Sequence, residues 1–222
     1  MDYRIKTPCS FLLCGPTKCG KTTFVLKFID FAECLLSDPR CLQNIIYFYK
    51  LKNDKFDEYE DRITFIQGCP KSKEIEELTL PFKNIGGSIV IIDDFGQDLG
   101  KDIVDVFTVL SHHANIVVFL LLQNIFTKAG GYCRDVSLNA SHVIVFQNHR
   151  DKSQIQHLAR QICPSNPKHI ISAWQFLIDN YPYSYLWFDN EICTNKLCRI
   201  KSNFLPHEWP ILLFKEKNSK YE

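Results

Sequence analysis

Gly15-Pro16-Thr17-Lys18-Cys19-Gly20-Lys21-Thr22 follows a short apolar run, Ser10 to Cys14, and opens an amphipathic stretch from Lys21 to Leu36. A glycine, four residues and then Gly-Lys-Thr, set between a strand and a helix, reads as a phosphate-binding P-loop. The turn aims backbone N–H groups inward, and the helix N-terminus adds a positive field. Gly15 and Gly20 stand where the backbone must approach phosphate closely or adopt conformations that a Cβ obstructs. Lys21 brings a point charge to the β- and γ-phosphates, and Thr22 offers its hydroxyl to Mg²⁺. Pro16, Thr17, Lys18, Cys19 and Thr23 complete the loop around an ATP ligand. An ordinary strand-turn-helix with a capping threonine is the bland alternative, and the strand-helix setting disfavours it.

A P-loop needs a carboxylate for its metal, and the apolar run Ile89 to Ile92 leads to Asp93-Asp94. Asp93 is placed to hold Mg²⁺ through water opposite Thr22. Asp94 is placed to orient or deprotonate an attacking water, with one methylene less reach than Glu; it equally suits a helix N-cap. The next apolar run, Ile116 to Leu122, ends in Gln123-Asn124. Gln123 can contact the terminal phosphate or the attacking water, or be a plain loop amide.

Further strands are expected at Ile45-Tyr49, Ile63-Ile66, His142-Gln147 and Tyr185-Asp189, besides Ser10-Cys14, Ser88-Ile92 and Ile116-Leu122. Most are continuous apolar runs, as strands buried on both faces are. Helices are expected at Lys21-Leu36, Ile103-His113, Lys152-Cys163 and His169-Asn180. The alternation predicts an α/β fold with a mostly parallel central sheet flanked by helices. Lys50-Asp61, rich in carboxylates, reads as a solvated connection. No linker divides residues 1–222, so one ATPase domain is expected, with 165–222 a C-terminal extension packed on its core.

The 222 residues carry 26 Lys+Arg against 25 Asp+Glu, a formal charge of +1, and 45% are hydrophobic. That balance excludes a disordered tail and a protein that coats nucleic acid by global basicity. Residues 196–222 hold six basic side chains against three acidic ones, which suits a solvated surface better than a phosphate backbone contact. No secretory core follows Met1, so the ten cysteines are expected as free thiols in a reducing compartment. Cys19, beside a helix N-terminus, is a candidate for a lowered thiol pKa, an inert small side chain being the plainer reading. The longest apolar run, seven residues, falls short of the ~20 that span a bilayer, so no membrane partner is expected. Trp174, Trp187 and Trp209, with Phe176, Tyr181, Tyr183 and Tyr185, could stack on bases but read more readily as core or as a subunit interface.

Taken in order, the P-loop, the Asp93-Asp94 pair, Ser111-His112-His113, Gln123-Asn124-Ile125-Phe126, Arg134 to Asn139 and Val143 to Asp151 resemble the FtsK-HerA superfamily. Within it, the match is closest to the double-stranded DNA packaging ATPases of viruses and Maverick/Polinton-type virus-like elements. The resemblance implies an additional-strand, RecA-like P-loop fold, ATP hydrolysis with Mg²⁺, and homo-oligomeric rings that translocate double-stranded DNA. It also implies a capsid or portal partner, and an intracellular setting such as a host nucleus or virus factory, with virion association. In such rings a neighbour's arginine completes the site. The superfamily's arginine before the strand that ends in Gln123 is absent here, leaving Arg134 as the first candidate and Arg150, for which an ion pair with Asp151 is the competing reading, as the second. Lys21, Asp94, Gln123 and Arg134 are thus the expected catalytic group.

A nucleoside or nucleotide kinase shares the P-loop and the length, but no loop carries an arginine cluster. Asn148-His149-Arg150-Asp151 only mimics a guanine-reading motif. A non-catalytic nucleotide-binding module follows if Asp94 is only a cap.

Overall fold

The protein is described by a computed structural model covering residues 4–96, 98–125, 132–208 and 210–215. Phe126, Trp209 and residues 216–222 lie outside the described residues. Among the described residues, nine strands form one sheet: β1 (Cys9–Cys14), β2 (Ile45–Tyr49), β3 (Thr64–Gln67), β4 (Ser88–Asp93), β5 (Ile116–Leu122), β6 (His142–Phe146), β7 (Tyr185–Asp189), β8 (Ile200–Ser202) and β9 (Leu212–Leu213). Their order is β3-β2-β4-β5-β1-β6-β7-β8-β9. The first six run parallel, and β7, β8 and β9 add antiparallel to the β6 edge. The mostly parallel α/β sheet agrees with the reading from sequence, and β5 lies between the P-loop strand β1 and β4.

Among the described residues, seven helices flank the sheet: α1 (Lys21–Leu35), α2 (Ser72–Thr79), α3 (Lys101–Asp105), α4 (Ser111–His113), α5 (Tyr132–Asn139), α6 (Ser153–Ile162) and α7 (Pro167–Asn180). The continuous apolar strands are explained by helices on both faces. All seven residues of β5 are buried. Val117, Phe119 and Leu121 face α1, whereas Ile116, Val118, Leu120 and Leu122 face the layer that contains α3, α5, α6 and α7. Each such side chain contributes roughly 1.5–3 kcal/mol relative to exposure. On the α1 side, Phe11 stacks on Phe119 at 4.4 Å, and Phe28 meets Phe119 edge-on at 5.1 Å.

Three features depart from expectation. The helix expected at Ile103-His113 begins at Lys101 and widens into a π segment, Val106–Leu110, between α3 and α4. α2 and α5 form where no helix was expected; each is eight residues long and offers few core side chains, among them Ile75 in α2 and Cys133 and Val136 in α5. The Lys50-Asp61 connection is only partly solvated. Its 3₁₀ turn, Asp54–Tyr59, buries Phe56, which stacks on Phe65 at 4.4 Å and leans on Tyr47 at 4.9 Å.

The C-terminal aromatics divide between core and surface. Trp174, Trp187 and Tyr185 are buried, while Phe176 and Tyr183 are exposed. Lys201, counted above among the basic groups of a solvated surface, is buried instead, paired with Asp189 at 2.9 Å and lying over Trp187 and Phe204. Among the described residues, no helix is long and apolar enough to cross a membrane.

Candidate nucleotide site

Parallel register brings three strand ends into one row. Cys14 pairs with Leu122 and Asp93 with Leu121, so the residues that follow, Gly15, Gln123 and Asp94, stand together at the carboxyl edge. Gly15 N–H donates to the Leu122 carbonyl at 3.1 Å, and Asp94 N–H to the Leu121 carbonyl at 3.2 Å.

The loop after β1 turns through left-handed backbone at Lys18 (φ 67°) and Gly20 (φ 108°), the latter opening α1. Gly15 is needed for a different reason: a Cβ there would lie 2.8 Å from the Phe146 Cβ and 2.7 Å from the Cys19 Sγ. β6 thus presses against the loop and keeps it narrow. The Lys21 ammonium arches over the turn and donates to the carbonyls of Gly15 at 2.6 Å and Pro16 at 3.1 Å. Cys19 is buried, and burial raises its thiol pKa against the lowering effect of Lys21, so the candidate for a lowered pKa is overturned.

Thr22 Oγ1 donates to Asp93 Oδ2 at 3.0 Å, and the Tyr47 hydroxyl donates to the same oxygen at 2.7 Å. Burial lifts the Asp93 carboxyl above its ordinary range, and the bonds from Tyr47 and Thr22 oppose that rise. Burial, together with the Asp93 charge, pushes the Tyr47 phenol well above its ordinary value, so it remains a proton donor. A threonine hydroxyl beside a carboxylate is the hard-oxygen set that suits Mg²⁺.

Asp94 is exposed and left-handed (φ 67°), and its Oδ1 accepts from Gln123 Nε2 at 2.8 Å. It caps no helix: α3 starts at Lys101 with Gly100 in the N-cap position. Gln123 is therefore engaged with Asp94 rather than free in its loop. Behind it, Gln154 Oε1 accepts from Ile125 N–H at 3.3 Å and from the Cys14 thiol at 3.0 Å, tying this loop to β1 and α6.

A cleft of about 710 Å³ opens beside these groups. Thr17, Lys18, Gly20, Lys21, Thr22 and Thr23 form its floor, with Asp93, Asp94 and Gln123 at the β4–β5 end. Lys50, Lys52 and Lys55 form one wall, and the Lys55 ammonium donates to Thr23 Oγ1 at 2.8 Å. Arg134 and Arg150 do not line it; Arg134 projects from α5 and Arg150 from the turn after β6, both exposed. Asp151 does not pair with Arg150 here, since its Oδ1 accepts from the backbone and hydroxyl of Ser153. Ser111 is buried and donates to the Phe107 carbonyl, closing the helix that His112 and His113 end at the surface.

Tyr47, Lys55 and Gln154 escaped the reading from sequence. The signal for Tyr47 was a phenol in the interior of a buried apolar strand, and that for Lys55 was its neighbour Phe56, an aromatic set among carboxylates.

No protein-family model matches the chain, and no curated protein matches it. Among 389 solved chains of similar structure is the genome packaging NTPase B204 from Sulfolobus turreted icosahedral virus 2, in complex with ATP-gammaS. It superposes with a TM-score of 0.56 at 16% identity, covering 87% of this chain and 95% of that one. At that identity the likeness is one of fold, and the class it defines is the P-loop NTPase, with a mostly parallel sheet and flanking helices.

Proposed function

We propose that this protein is an ATP-hydrolysing motor that assembles into a homo-oligomeric ring and drives double-stranded DNA of a viral or virus-like genome into a capsid. The observation that carries the hydrolytic reading is the Asp94–Gln123 bond beside the Thr22–Asp93 pair. The packaging NTPase among the similar folds and the FtsK-HerA resemblance support the direction toward DNA and toward a capsid or portal partner. The host nucleus, virus factory or virion setting belongs to the same proposal.

In this reading the loop 15–22 wraps the phosphates, and Lys21 exchanges its carbonyl partners for the β- and γ-phosphate oxygens. Thr22 and Asp93 hold Mg²⁺, which when bound neutralises charge developing on the terminal phosphate. Gln123 fixes one Asp94 oxygen, so the other receives the proton of the attacking water. A neighbour's Arg134 completes the charge stabilisation.

The test is ATP hydrolysis by wild type, Lys21→Ala and Asp94→Asn, with and without long duplex DNA, over a range of protein concentrations at low salt. Wild-type hydrolysis is expected to rise with both DNA and protein concentration and to vanish in Lys21→Ala. Asp94→Asn is expected to bind ATP while hydrolysing about 10²–10⁴-fold more slowly. Folded protein without ATPase activity under all these conditions refutes the motor, and phosphate transfer to a nucleoside exceeding hydrolysis would make it a kinase.

A further inference from the structure

The cleft has two chemically different ends. The sheet order places β1, and with it the P-loop, between β4–β5 on one side and β6–β7 on the other. The carboxylates and Gln123 stand on the β4–β5 side, so a nucleotide whose terminal phosphate reaches them points its opposite end toward β6–β7. That end is aromatic. Phe146 lies against Gly15, and Tyr185, its partner in the β6–β7 register, has its ring centroid 5.6 Å away. Tyr185 is buried, with its hydroxyl committed to Glu208. Two residues earlier, Tyr183 lines the same cleft, yet the residue is 72% exposed.

Tyr183 also sits in left-handed backbone, φ 58°, between Pro182 and Ser184. The Ser184 hydroxyl and carbonyl accept from the Gln147 side chain at 2.7 Å and backbone N–H at 3.1 Å, which anchors the turn. A bulky residue in this conformation is uncommon, and it persists where surroundings hold it. The turn thus presents a large, pre-ordered aromatic face to the cleft, with no ring stacked on it among the described residues. A cleft of this volume lies in the range that takes drug-sized ligands.

We propose that the β6–β7 end is a nucleobase subsite in which the base of the bound nucleotide stacks on Tyr183. The proposal rests on the nucleotide-binding reading above and adds the group that holds the base. Any base offers a π-face, so Tyr183 contributes affinity for nucleotides over inorganic polyphosphate.

The experiment is calorimetric titration of the full chain, with Mg²⁺, using ADP and inorganic tripolyphosphate against wild type, Tyr183→Ala, Tyr183→Phe and Lys21→Ala. Tyr183→Ala is expected to weaken ADP binding about ten-fold or more and to leave tripolyphosphate affinity unchanged, with Tyr183→Phe like wild type. Unchanged ADP affinity in Tyr183→Ala, or equal weakening of both ligands, overturns the subsite. In either case Lys21-dependent binding by wild type leaves the nucleotide reading intact. If wild type binds neither ligand, the nucleotide reading fails and the subsite falls with it.

Discussion

Tyr47 does at one oxygen what neither the loop nor β4 does alone: with Thr22 it donates to the half-buried Asp93 carboxylate and opposes the pKa rise that desolvation imposes. In Tyr47→Phe that support is lost and the carboxyl rises further. The Asp93 carboxyl of the metal-free protein is therefore expected to titrate at higher pH by NMR, with a loss of about 1 kcal/mol in denaturant unfolding. His142 offers a second test at this scale. Burial lowers its pKa from 6.5 to about 4, and its Nδ1 accepts from the Trp187 indole at 3.3 Å, so the native ring is neutral. Below the unfolded value the unfolded chain binds a proton that native His142 refuses. Stability is expected to fall as pH drops from about 6.5 to about 4, by up to roughly 3 kcal/mol, and His142→Gln should flatten that window in pH-dependent unfolding.

Among elements, the 3₁₀ turn Asp54–Tyr59 shows how one apolar residue converts a charged connection into a wall of the cleft. Phe56 inserts among Tyr47, Tyr49 and Phe65, which sets the neighbouring Lys55 against Thr23. Phe56→Ala is expected to cost about 3–5 kcal/mol by urea unfolding and to raise the KM for ATP more than it lowers kcat, as Lys55 leaves the P-loop helix. The turn was illegible because Asp54, Asp57, Glu58, Glu60 and Asp61 dominate any average over the stretch, while burial depends on Phe56 alone. β5 was legible for the opposite reason: every residue in it is apolar, and the fold buries all of them. α2 was illegible because it is only two turns long and mostly polar, burying Ile75 and Thr79 alone.

At the scale of the whole molecule, Arg134 is exposed on α5 and does not line its own cleft, which is the placement the proposed trans role requires. In the proposed ring, mixing Arg134→Ala with Lys21→Ala, each expected to be inactive alone, should restore ATP hydrolysis, because mixed assemblies would contain interfaces with both residues intact. Failure of the mixture to regain activity would remove Arg134 from the trans role. The antiparallel β7–β9 extension is held by an interior ion pair, Lys201–Asp189, beside neutral His142. That network was invisible in a sequence where Lys201 stood as one more basic residue near the end of the chain.

The sequence by itself determined the P-loop and its order before Asp93-Asp94 and Gln123, the parallel character of the sheet and its burial on both faces. These are local quantities: the chemistry of one loop and the apolarity of one run. Only the tertiary structure decided that Tyr47 shares an oxygen with Thr22, that Gln123 grips Asp94, that Lys55 reaches Thr23, and that Tyr183 faces the cleft. Each of those contacts depends on strand order and register, which follow from how helices on both faces pack against the whole sheet, and no segment carries that information alone.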